Sequence, residues 1–144
     1  MTLRPATAAD LPAVVALLEA NRLPTAGLAA PLDGFLVAED GGALVGVIGL
    51  ERYADVGLLR SAAVDAARRG SGVGRMLIER LLADAAARGV KAIYLRTTTA
   101  EDYFPRFAFE KVPRDAVPAP VRASVEFTSA CPEAATVMMR QVTS

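Results

Sequence analysis

The residues with the clearest chemistry lie between Arg68 and Met76, in the run Arg-Arg-Gly-Ser-Gly-Val-Gly-Arg-Met. Glycines at 70, 72 and 74 remove the Cβ atoms that would hold an anion away from the backbone, and Arg68, Arg69 and Arg75 bring positive charge to the same point. Where such a run opens a helix, the first N–H groups have no intrahelical acceptor and the helix dipole adds partial positive charge at that end. A phosphate fits there, and a pyrophosphate-bearing cofactor is the natural guest. A nucleotide-hydrolase phosphate loop requires Gly-Lys-Ser/Thr, whereas Gly74 is followed by Arg75 and Met76. A dinucleotide fingerprint requires glycine at 75 and a strand ending directly before the loop, and it fits poorly. The plain alternative is a glycine-rich turn capping a surface helix.

The flanking elements decide what the loop can hold. Thr2 to Thr7 alternates as an edge strand, Asp10 reads as the N-cap of a first helix with Pro12 in its first turn, and that helix runs to Asn21. Arg22 to Pro31 breaks the pattern and reads as a loop or lid. Phe35–Glu39 and Ala43–Leu50 form a hairpin around Asp40-Gly41-Gly42, and a third antiparallel strand spans about Val56 to Val64. The helix opening near Val73 buries Val73, Met76, Leu77, Leu81 and Ala85 and stops at Gly89. Val90 to Arg96 returns as a strand, and a crossover of this kind makes it parallel to the strand ending at Val64. Thr97–Thr99 leads into a short second helix, followed by a strand over 107–112, a turn-rich stretch over 113–120, helical turns and a loop over 121–131, and a last strand over 135–142. The fold class is α+β, with a mostly antiparallel sheet, one parallel pair and flanking helices, in a single domain over 1–144.

The whole chain sets outer bounds. Its 144 residues carry 16 basic and 16 acidic side chains and no His, so no net field draws in nucleic acid. No apolar run approaches the ~20 residues that span a bilayer, and the expectation is a cytoplasmic protein with no membrane partner. A single cysteine, Cys131, leaves no internal disulfide and no cysteine metal cluster, and no metal is expected.

The segment Arg69-x-x-Gly72-x-Gly74, within this order of elements, resembles the signature of the GNAT superfamily of acyl-CoA N-acyltransferases. Leu95 to Phe104 followed by 107–114, together with Leu59-Arg60-Ser61, is similar to the acetyltransferase domain of N-acetylglutamate synthases and more so to the N-acetyltransferases of arsenic-resistance operons. The resemblance implies acetyl-CoA as cofactor, with its pyrophosphate on Arg68, Arg69, Gly70, Ser71, Gly72, Val73, Gly74 and Arg75. It implies a pantetheine arm in a V between Ser61–Val64 (with Ala62, Ala63 and Val64) and Ile93–Thr97, and contacts from Thr97, Phe104 and Arg106. It further implies acetylation of a glutamate-like amino acid such as phosphinothricin or arsinothricin. Many GNAT enzymes place a thiolate-protonating tyrosine in Tyr-x-x-x-Gly-Phe. Here that stretch reads Phe104-Pro105-Arg106-Phe107-Ala108-Phe109, so Tyr103 is the adjacent candidate acid.

Arg60 and Arg96 each interrupt an apolar strand on opposite walls of the V, where planar guanidinium forks suit a carboxylate, phosphinate or arsinate. The alternative is that they snorkel to solvent. Asn21, Arg22 and Thr98 complete the acceptor set, and Phe35, Tyr53 and Phe104 are candidate pocket walls. Without His, a base for the amine comes from Glu51, Asp55 or Asp102, of which Glu51 ends an apolar strand near the acceptor. The alternative for Glu51 is a solvated carboxylate. Rival functions are acetylation of protein N-termini or lysines, and a catalytically silent CoA-binding module. A homodimer through the last strand is compatible with the resemblance.

Overall fold

The computed structural model describes the chain except at positions 24, 26–27, 29–31, 98–99, 123–134 and 143–144. Its strands are β1 (Thr2–Pro5), β2 (Phe35–Asp40), β3 (Ala43–Tyr53), β4 (Val56–Val64), β5 (Ala92–Thr97), β6 (Glu110–Lys111) and β7 (Thr136–Gln141). They form one seven-stranded sheet in the order β1-β2-β3-β4-β5-β7-β6. Every pairing is antiparallel except β4 with β5. The near-continuous apolar runs of β2, β3 and β4 follow from cover on both faces.

Helix α1 (Leu11–Ala20) buries Val14 and Leu18 against Phe35, Val37, Val47 and Ala63 on one face. Helix α2 (Val73–Ala87) packs Val73, Leu77, Ile78, Leu81 and Ala85 on the other. Gly46 lets α2 come close, since a Cβ there would stand 2.9 Å from both Leu77 Cδ1 and Val73 Cγ1. At the far end of α2, Gly89 takes φ +80, its N–H bonds Ala86 O at 3.2 Å, and Val90 N–H bonds Ala85 O at 3.0 Å. That is a Schellman stop at the glycine the sequence marks. Met76, expected on the buried face, is 37% exposed.

Several boundaries differ from the sequence expectation. Asp10 does not cap α1 forward. Its carboxylate accepts from Thr7 N–H at 2.7 Å, so the N-terminal turn begins at Thr7, and Arg4 holds the same carboxylate at 2.8 Å. The expected helix after Thr99 is only a 3-10 turn, Phe104–Phe107, because Pro105 sits near its start and Ala108 turns left-handed at φ +65. The expected strand over 107–112 shrinks to β6 for the same reason. Of the helical turns expected over 121–131, the described part is the end of α3 (Ala119–Arg122), and Cys131 lies outside the described residues. Phe35 is core under Gly49, not a pocket wall. Among the described residues, no helix is long and apolar enough to cross a membrane.

Candidate functional site

The parallel pair separates partway along. Residues pair across β4 and β5 at Val56–Ala92, Gly57–Ile93 and Leu58–Tyr94, and there the pairing stops. Beyond it β4 continues to Val64 along β3, and β5 continues to Thr97 along β7, so each wall is held from its outer side. A β-bulge bends β4 at this place: Val47 faces Ala63 and Gly49 faces Arg60, which leaves Ser61 and Ala62 opposite Ile48 alone. Ser61 takes φ +58, a left-handed conformation rare for a side-chain-bearing residue. Bulges add local twist and re-aim side chains, which accounts for the divergence of the walls.

The opening is a cleft of about 880 Å³. At one end lies the glycine loop. Gly70 and Gly72 adopt φ +82 and +92, and a Cβ built on either meets nothing within 4 Å, so the space beside them is open. Gly72 O receives the Met76 N–H at 3.0 Å as α2 begins, which leaves the N–H groups of the first turn at the mouth of the cleft. Arg68, Arg69, Arg75 and Arg106 line this end. Arg68 pairs with Asp40 at the end of β2, and its guanidinium hydrogen bond holds the Asp40 carboxyl below the usual carboxylate range. Arg69 donates to Asn21 Oδ1, while Asn21 Nδ2 bonds Leu17 O at 2.9 Å and so closes α1. A pyrophosphate fits this end by conformation, space and charge.

At the other end Arg60 and Arg96 are 2% and 7% exposed. Leu59 and Leu95 pack with α2, whereas Leu58 and Tyr94 pack with Val117, Val121 and Val137. Strand alternation therefore puts both arginines on the face opposite α2. Arg60 Nη1 donates to Glu51 Oε2 at 2.9 Å, Arg60 Nε donates to Ser61 Oγ at 3.0 Å, and Tyr53 Oη donates to Glu51 Oε1 at 2.6 Å. The chain matches the Acetyltransferase (GNAT) family over residues 7–109. It belongs to the GNAT acetyltransferase family.

Solved structures share the fold of this GNAT domain. The N-acetylglutamate synthase from Neisseria gonorrhoeae, complexed with coenzyme A and N-acetyl-glutamate, aligns with a TM-score of 0.85 at 21% identity over 99% of this chain; the chain spans 35% of that enzyme. Rv2747 from Mycobacterium tuberculosis, solved with CoA, aligns at 0.81 and 24% identity over 98% of this chain and 99% of the other. A GNAT-family acetyltransferase from Staphylococcus aureus aligns at 0.74 and 16% identity over 98% of each chain. No curated protein sequence matches the chain.

Of the residues singled out in the sequence, Ala62, Ala63, Val64, Arg68, Arg69, Gly70, Gly72, Val73, Gly74, Arg75, Thr97, Tyr103, Phe104 and Arg106 line the one cleft with Asn21, Arg22, Arg60 and Arg96. Ser71 does not: it is exposed, and its hydroxyl donates to Arg68 O. Glu51 does not line the cleft either, because Arg60 and Tyr53 hold its carboxylate. Thr98 lies outside the described residues. Thr97 Oγ1 accepts from Ala100 N–H at 2.9 Å and shapes the turn after β5. Phe104, at the tyrosine position of the family pattern, is core and 6% exposed. The Tyr103 hydroxyl stands 3.1 Å from where a Gly74 Cβ would be, at the loop end of the cleft. Ser61 also lines the cleft; in the sequence it stands in the Leu59-Arg60-Ser61 run and at the start of the Ser61–Val64 wall, with no catalytic or binding role of its own.

Proposed function

We propose that this GNAT domain transfers the acetyl group of acetyl-CoA to the amino group of a small anionic amino acid, glutamate or an analogue such as phosphinothricin or arsinothricin. The observation that carries the reading is the charge of the cleft. Arg68, Arg69, Arg75 and Arg106 line one end and Arg60 and Arg96 the other, Arg22 lines the same cleft, and no Asp or Glu is among the described lining residues. A molecule of zero formal net charge thus concentrates one sign in one groove. The loop end suits the pyrophosphate of coenzyme A, and the second cluster asks for another anion on the opposite face of the sheet. Two arginines set in strands, where apolar side chains pack better, suit an anionic acceptor more than a neutral or cationic one.

When bound, acetyl-CoA supplies an activated thioester with a thiol leaving group whose pKa, about 8.5, lets it depart with little protonation. That relaxes the need for the tyrosine that Phe104 replaces. Glu51 serves Arg60 as an acceptor in place of acting as a base, no carboxylate is among the described lining residues, and the amine loses its proton to water in this reading. Arg60 and Arg96 orient the acceptor through its acidic groups, and the N–H groups of the first turn of α2, with the loop arginines, hold the pyrophosphate.

The test is thiol release from acetyl-CoA across glutamate, phosphinothricin, arsinothricin, neutral amino acids, polyamines and a peptide. Anionic amino acids are expected to give the highest kcat/KM. Preference for a polyamine or peptide overturns the acceptor class. CoA binding without turnover on any acceptor makes the domain a silent binding module, which the burial of Phe104 in place of a hydroxyl would then explain.

A further inference from the structure

We infer that Ser61 is a catalytic residue whose hydroxyl donates a hydrogen bond to the thioester carbonyl oxygen. A serine at φ +58 within a strand is strained and persists only where its surroundings over-determine it. The bulge supplies that constraint and removes Ser61 and Ala62 from one-to-one pairing with β3 at the point where the walls of the cleft part.

The side chain points to the same role. A serine hydroxyl has one proton to give and can accept on its oxygen. Ser61 Oγ accepts from Arg60 Nε at 3.0 Å, so its own proton is turned away from the guanidinium. Ser61 lines the cleft, and among the described residues no acceptor takes that proton. The donor that fixes Oγ is itself fixed: Arg60 is 2% exposed and bonded to Glu51, which Tyr53 holds from its other oxygen. A hydroxyl accepting from a buried cation is polarised and donates more strongly. The result is a preorganised donor beside the V, where charge develops on an oxygen during acyl transfer.

The step balances without net proton transfer from Ser61. Attack of the amine nitrogen forms the C–N bond as the carbonyl π pair moves onto oxygen. Return of that pair breaks the C–S bond, the thiolate leaves with its electrons, and the amine proton goes to water. Ser61 keeps its proton throughout and contributes only a hydrogen bond that strengthens as the oxygen becomes negative.

The inference rests on acetyl-CoA use and not on the acceptor, so it is testable without one. Carbonyl-13C acetyl-CoA bound to the parent protein is expected to show its thioester C=O band at lower wavenumber than in water by isotope-edited infrared spectroscopy. Ser61→Ala and Ser61→Gly should return the band toward that of a carbonyl lacking the donor while leaving acetyl-CoA affinity within about threefold. Ser61→Gly suits the positive φ and guards against misfolding. With whichever acceptor turns over, kcat should fall about 100-fold with little change in KM for acetyl-CoA, the scale of losing one oxyanion donor. A bound band that is the same in parent and variants overturns the role of Ser61 alone. Failure of the parent to bind acetyl-CoA overturns the cofactor reading and this inference with it.

Discussion

Gly72 shows how one residue serves both conformation and ligand. Its φ of +92 and the open space around its missing Cβ together leave the start of α2 accessible. Gly72→Asp sets a carboxylate against the pyrophosphate position and should weaken CoA binding about 100-fold by calorimetry, the scale of one or two lost charge-assisted hydrogen bonds. Gly72→Ala adds only strain and a methyl group and should weaken it less. A folded Gly72→Asp protein with parental affinity refutes the loop assignment. This residue is legible because glycine spacing is itself the signal. Glu51 is not: its place at the end of an apolar run suggests a base, and only the hairpin brings Arg60, nine residues on, to take its carboxylate. Ser61 is less legible still, since its left-handed backbone depends on the register of β4 against β3. Ala108 falls where the family pattern has glycine and adopts a left-handed conformation at φ +65, one that glycine takes at no steric cost.

At the scale of elements, long periodic segments read well and short ones badly. The apolar runs of β2 through β4 and the apolar stripe of α2 each involve enough buried side chains, at about 1.5–3 kcal/mol apiece, to override local detail. The stretch after Thr99 has no such stripe, and Pro105 with the left-handed Ala108 reduces a helix and a strand to a 3-10 turn and a two-residue β6. The start of α1 is a third case, in which tertiary partners decide how a capping residue is used. Arg4 from β1 holds Asp10 from one side and Thr7 N–H from the other, and the Arg4 hydrogen bond first, then that of Thr7, depress the Asp10 pKa far below its ordinary value. A depressed carboxylate stabilises the fold above its unfolded pKa of about 3.9, and that contribution drains away as pH falls below it. Asp10→Asn should cost about 1 kcal/mol in urea unfolding at pH 7, the usual value of such a helix-start interaction. The gap between parent and variant should narrow below about pH 3.9, and a gap that stays constant down to pH 2.5 would show that Asp10 acts by packing instead.

At the scale of the whole molecule, the cleft is a seam. α1 and α3 cover one face of the sheet and α2 the other, while β4 and β5 are zipped together only as far as Leu58 and Tyr94. Past that point the two walls gain no ladder pairing from each other, and the arginines along the groove, of which Arg60 and Arg68 have carboxylate partners, repel across it. A polyanionic ligand laid in the seam reverses both effects, replacing like-charge repulsion with attraction and bridging the strands that the bulge separates. Binding to the folded state alone stabilises by RT ln(1 + [L]/Kd), about 2.7 kcal/mol at one hundred times Kd. For a chain of this size that raises Tm by roughly 8 °C. Coenzyme A should give this shift in calorimetry at low salt, and it should shrink in 0.5 M salt as screening weakens both the repulsion and the attraction. Gly72→Asp should show little shift at either salt concentration. Ser61→Gly, which leaves the loop and the arginines in place, should keep it. Loss of the shift in Ser61→Gly would mean that the bulge holds the seam for binding as well as chemistry; an undiminished shift in Gly72→Asp would mean that coenzyme A stabilises the fold from somewhere other than the seam.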